Sequence, residues 1–168
     1  MRATLGLALT LFGTTVAFAA EPSGCDKFKW PIDAERAALT VSERPIVKSG
    51  GEMPTSGKAV LVALVPSPEA KLPTLSERNF PPDAFGGFVT VAAPKEAGLY
   101  TVSLSEALWV DVVQEGKPLK PVAFSGATDC AGIRKTMRFE LAAQPVTIQL
   151  SGGKADRVNL LLSHAHSN

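Results

Sequence analysis

From Phe85 to Ser163 the chain alternates short apolar–polar segments with turn-forming runs, and this rhythm restricts the fold more than any other feature. Val146, Ile148 and Leu150 stand against Thr147, Gln149 and Ser151, and Tyr100, Val102 and Leu104 against Leu99, Thr101 and Ser103. Successive side chains of an extended backbone point to opposite sides, so each set occupies one face of a strand. In the segment from Arg134 to Leu141, Lys135, Met137, Phe139 and Leu141 oppose Arg134, Thr136, Arg138 and Glu140. The pattern predicts strands over 88–92, 99–104, 108–114, 119–124, 135–141, 146–150 and 158–163, each packed on one face and wet on the other. Polar, Gly-bearing runs separate them: Pro94-Lys95-Glu96-Ala97-Gly98, Glu115-Gly116-Lys117-Pro118, 125–132 and 151–156. Turns arriving about every 8 to 12 residues predict an all-β chain built as a single antiparallel β-sandwich, jelly-roll-like in form.

The segment before Phe85 is less regular. Ile32 to Leu39 is rich in good helix formers, and Asp33 and Glu35 suit the positive end of a helix, which predicts one short N-terminal helix. Residues 43–56 carry Pro, Gly and Ser and read as a loop. Lys58 to Val65 is apolar on both alternating faces and reads as a strand buried on both sides, closed by Pro66. From Ser67 to Asp83 no period is sustained, and Pro68, Pro73, Pro81 and Pro82 follow Pro66. An irregular stretch of that length inside a compact domain marks a candidate surface.

The first nineteen residues read as an address. Arg2 precedes an uncharged apolar run from Leu5 to Ala17, and Ala17-Phe18-Ala19 is the small-x-small pattern of a signal-peptide cut site, so cleavage after Ala19 and a periplasmic or secreted product are expected. Residues 20–168 then form one β-sandwich domain of about 149 residues, enough for one core and too few for two. Small residues also precede Cys25, as at a lipoprotein processing site, but Pro22 replaces the expected leucine-like residue, so lipidation there is not the expectation. Export makes a structural disulfide the expected state of Cys25 and Cys130, the only two cysteines. Closing about 105 residues is worth about 4 to 5 kcal/mol in the chain-entropy picture, as an upper figure.

Charge and apolar content exclude some partners. Without Arg2 the chain holds 16 basic and 16 acidic residues, a balance that does not supply the cationic excess nucleic-acid binding requires. After the leader no apolar run approaches the about 20 residues of a membrane-spanning helix, so no transmembrane segment is expected.

Catalytic chemistry is thinly supplied. The only histidines, His164 and His166, stand within five residues of the C-terminus, where a His-x-His pair makes at most a weak metal site. No Ser-His-Asp or Cys-His arrangement forms without them, and no phosphate-binding glycine loop or dinucleotide fingerprint occurs. No catalytic residue and no cofactor is therefore assigned. Asp111 shares a strand face with Trp109 and Val113; an acid beside an indole can acquire a raised pKa or bond a sugar, while the plainer alternative is a solvated face. Asp129 sits in a Gly-bearing turn as a turn former, and Arg134, Lys135 and Arg138, offset by Glu140 and Asp129, read as one polar face.

The segments Cys25-Asp26-Lys27-Phe28-Lys29-Trp30-Pro31, 97–104, Trp109-Val110-Asp111-Val112-Val113-Gln114 and 123–130, ending in Asp129-Cys130, resemble those of a family of small exported bacterial two-cysteine β-proteins. Some members carry the name homogentisate dioxygenase. The resemblance covers most of the chain after the leader and implies export and a two-cysteine β domain; it brings no catalytic residue with it. A facial-triad iron oxygenase needs two histidines and a carboxylate in a preformed cavity, a set that only His164 and His166 could begin to supply. The Ala97-Gly98-Leu99-Tyr100 strand followed by Trp109-Val110-Asp111-Val112 also resembles pre-peptidase C-terminal β-sandwich domains. The expectation is a non-catalytic binding or accessory module for a protein or glycan partner. Trp109, Tyr100 and Asp111 are its ligand-face candidates, and a metal-dependent oxygenase or a metal carrier using His164 and His166 are the alternatives.

Overall fold

The period-two segments become strands. The computed structural model describes residues 20–165 apart from 55, 56 and 77; the expected leader with its cut site, and His166, lie outside the described residues. In chain order the elements are α1 (Asp33–Thr40), β1 (Ile46–Lys48), β2 (Gly51–Met53), β3 (Val60–Ala63), β4 (Val65–Pro66), β5 (Phe85–Val91), β6 (Gly98–Leu104), β7 (Trp109–Gln114), β8 (Lys117–Leu119), β9 (Ala123–Gly126), β10 (Lys135–Leu141), β11 (Val146–Gly153) and β12 (Arg157–His164). Two mixed sheets result, one ordered β1-β3-β12-β6-β10-β9 and the other β2-β5-β11-β7-β8, with β4 also beside β5.

The alternation decides which side chains meet. Val102, Leu104, Phe139, Val158 and Leu160 of the first sheet join Val89, Val91, Val110, Val112, Ile148 and Leu150 of the second in one buried cluster. Each of those side chains is removed almost wholly from water, worth about 1.5 to 3 kcal/mol apiece before conformational entropy is set against it.

Three expectations are corrected. The sheets are not antiparallel throughout: β1 runs parallel to β3, and β2 parallel to β5. Both short strands lie where a loop is expected over 43–56. Gly50, at φ 84°, passes the chain from one sheet to the other, its N–H bonded to Phe88 O at 2.7 Å. Second, 119–124 is not one strand: β8 pairs with β7 in one sheet and β9 with β10 in the other, with Lys120-Pro121 crossing between. Pro121 has no N–H to give a ladder, which suits a crossing. Third, β3 is buried on one face only, with Val60 and Val62 inside and Leu61 and Ala63 half-buried, and the chain changes sheets again before β4.

Neither outer face meets water as the alternation alone predicts. On the first sheet, Ser103, Thr136 and Leu161 are paired in register across β6, β10 and β12 and fully buried. Trp30, Ile32 and Leu39 of the N-terminal segment pack on that face in a second cluster with Ile133 and Leu161. The segment is fastened by the Cys25–Cys130 disulfide, with S–S 2.05 Å and Cα–Cα 4.8 Å, and by Gly24 N–H donating to Thr128 O at 2.9 Å. The second sheet is covered by the described residues of 67–83, and that covering builds the site.

A site beneath the proline-rich strap

Residues 67–83, apart from 77, form a strap lying on the outer face of β5, β11 and β7. Gln149, at the centre of that face and wholly buried, grips it twice: Thr74 N–H donates to Oε1 at 2.8 Å, and Nε2 donates to Thr74 O at 3.2 Å. The side-chain amide thus serves as a strand partner for one residue of irregular chain, satisfying polar groups that would otherwise be buried unpaired. Ser67 N–H to Ala84 O, at 2.8 Å, closes the strap at its base, and the prolines restrict its freedom before folding. At its far end the Phe80 ring lies so close to Gly152 that it fills the space an added Cβ would need.

Strand register sets the floor. On β7 and β11, Trp109 pairs with Ser151 and Asp111 with Gln149. Trp109 Nε1–H donates to Asp111 Oδ1 at 2.8 Å, which fixes the indole. The guanidinium of Arg78, from the strap, lies 4.3 Å above the ring centroid, and Lys135 Nζ, from β10, approaches to 5.8 Å while donating to Leu108 O at 2.9 Å. Both cations are within reach of the negative face of the indole. Burial pushes the Lys135 ammonium below its usual range, helped by the charges of Arg134 and Arg78 and opposed by Asp111. Among the described residues, neither Arg78 nor Lys135 forms an ion pair.

Beside this stack is an open cup of about 320 Å³, walled by Pro68, Leu72, Phe80 and Pro82 and floored by Ser151. Ser76 joins the two halves: it lines the cup and its Oγ accepts the Arg78 backbone N–H at 3.4 Å. Three buried oxygens where the strap meets the sheet lack a hydrogen-bond partner among the described residues: Asp111 Oδ2 and Ser151 Oγ on the sheet and Thr74 Oγ1 on the strap. Leu75 at the strap's crest is 99% exposed.

Of the residues singled out from sequence, Trp109 and Asp111 lie together here, half-buried rather than on a solvated face. Tyr100 lies apart, in the core of the other sheet. Its hydroxyl donates to Glu96 O at 3.0 Å, and its ring meets His164 edge-on at 4.8 Å, beside a second cavity of about 420 Å³ that Lys95 and Glu96 also line. His164 is exposed, and among the described residues no three His, Cys, Asp or Glu side chains cluster to hold a metal ion. The three basic residues read as one polar face diverge: Arg134 pairs with Glu21 at 2.6 Å, Lys135 reaches Trp109, and Arg138 stacks 4.3 Å over Trp30. Asp129 holds φ 55° in its turn and accepts a hydrogen bond from Ser23 Oγ. Sequence reading did not bring Arg78, Lys135, Gln149 and Ser151 to this site. A lysine on the apolar side of β10 and two polar residues on the outer side of β11 were the available signals.

No protein-family model, no curated protein and no solved structure matches this chain.

Proposed function

We propose that this chain is an exported, disulfide-closed β-sandwich of the jelly-roll kind, allied to the small two-cysteine β-proteins it resembles. On this reading it works without catalysis, as a binding or accessory module that takes its ligand at the strap site. The observation that carries the proposal is the indole of Trp109, fixed by Asp111 and stacked under Arg78 beside a partly apolar cup. An open concavity, an oriented aromatic ring and a few convergent polar groups are the usual parts of a small-ligand site. Export is supported by the Cys25–Cys130 bond, because such bonds persist in oxidising compartments.

The test is to screen the purified chain on arrays of glycans and short peptides, with Trp109→Ala and Tyr100→Phe in parallel. A ligand whose affinity falls at least about tenfold with Trp109→Ala and is unchanged with Tyr100→Phe supports the strap site. Equal binding by wild type and Trp109→Ala, at matched urea midpoints, removes it.

A further inference from the structure

Resting on the strap-site reading, we infer that its ligand is a monocarboxylate with a compact apolar body, the carboxylate held at Arg78 and Lys135 and the body lodged in the cup. The charge at the site points to the sign. Among the described residues two cations face one carboxylate around Trp109, and a single negative charge on a ligand balances that pair. A doubly charged group would also confront Asp111 Oδ2, which no hydrogen bond among the described residues occupies.

Geometry points to the group. Arg78 lies over the indole, and among the described residues its guanidinium donates no hydrogen bond. That planar fork matches the two oxygens of a carboxylate, which a lysine alone cannot do. The same stack argues against a neutral sugar. Sugar rings dock their C–H faces on an open aromatic platform, and one face of Trp109 is already taken by Arg78.

The cup points to the rest of the molecule. Its walls are Pro68, Leu72, Phe80 and Pro82, and Ser151 and Ser76 are the polar groups on the side toward Trp109 and Arg78. An apolar cavity of about 150 Å³ accommodates a benzene ring, so the open 320 Å³ cup here has ample room for a body of about six carbons. A free alkanoate and the C-terminus of a polypeptide ending in an apolar residue both offer this chemistry.

The chain has two tryptophans, so its two indole N–H signals report separately on Trp109 and Trp30, with Trp109→Phe giving the assignment. Titration is made with hexanoate, hexanamide, N-acetyl-leucine, N-acetyl-leucinamide and maltose. The acids are expected to shift the Trp109 signal and leave Trp30 in place. Each amide should bind at least about tenfold more weakly than its acid, and Arg78→Gln should cost the acids a similar factor without moving the urea midpoint, since Arg78 is exposed. Tighter hexanoate identifies a free alkanoate, and tighter N-acetyl-leucine a polypeptide C-terminus. Amides binding as well as acids, an Arg78→Gln variant that binds normally, or maltose alone shifting Trp109 overturns the inference and leaves the strap site standing. If neither these probes nor any array ligand disturbs Trp109, both readings fall.

Discussion

Gly152 and Lys135 each show how one side chain, or the lack of one, shapes the strap site. Gly152 holds φ 73°, a conformation that L side chains rarely adopt, and Phe80 occupies the space a Cβ would need. Gly152→Ala is therefore expected to destabilise the fold by about 1 to 2 kcal/mol through backbone strain alone. It should also push Phe80 off its seat, so hydrogen exchange over 72–80 rises more than in β6 or β10. An unchanged urea midpoint with unchanged exchange would mean that Phe80 is not seated there. Lys135 contributes in the opposite sense to most charged groups. Its ammonium titrates below the usual lysine range because it is buried, so the folded state binds fewer protons than the unfolded state. Stability then rises with pH between the lowered folded value and the ordinary value of about 10.4. The wild type is expected to gain on Lys135→Met as pH climbs through that window, read as the difference between their urea midpoints. A difference that stays level or narrows with pH contradicts the buried ammonium.

Secondary-structure elements were legible in the sequence to the extent that their partners enforce a period. β6, β7, β10, β11 and β12 were readable because one side of each packs in the common core while the other carries at least one polar residue: Thr, Ser, Gln or Asn in four of them and Asp111 in β7. β1 and β2 were not, since three residues contain no full alternation and their pairing is parallel to strands far along the chain. Pro121 was a usable sign that 119–124 crosses between sheets, and it outweighs the apolar run around it. The site divides the same way. Trp109 and Asp111 are two residues apart on one strand and had to share a face. Arg78 comes from chain without a period, and the grip of Gln149 on Thr74 helps to bring it over the indole. Gln149→Leu tests that grip: it leaves Thr74 N–H and C=O unpaired beneath the strap, a loss of about 1 to 3 kcal/mol if the strap stays down and less if it lifts into water. Strap exchange should quicken while the first sheet stays protected, and ligand affinity should fall along with it. A variant with native strap protection would assign the strap's position to Phe80 and the prolines instead.

Across the whole molecule, both sheets bury their inner faces in one core and carry irregular chain on their outer faces, but the two coverings are held by different forces. The strap is held by hydrogen bonds and Phe80, whereas the N-terminal segment is held by a covalent bond as well as by Trp30, Ile32 and Leu39. In this layer and on the sheet face beneath it, polar groups with no partner among the described residues include Trp30 Nε1 and Ser103 Oγ. Buried, unpaired polar atoms weaken an interface that apolar contacts alone must close, so the disulfide bears a larger share of holding this layer. Replacing Cys25 and Cys130 with alanine is expected to lower stability by about 2 to 4 kcal/mol, since a 105-residue loop is released. The opening should be uneven. Trp30, whose ring stacks on Arg138 in the N-terminal layer, should shift its indole signal and emission toward those of a solvated ring at low urea, while Trp109 keeps its native signal until the sheets themselves unfold. Ligand affinity at Trp109 should be unchanged in that variant, because the strap hangs on Gln149 in the other sheet. Simultaneous loss of both indole signals would show instead that the two layers and the core form one cooperative unit, with the bridge stabilising all of it equally.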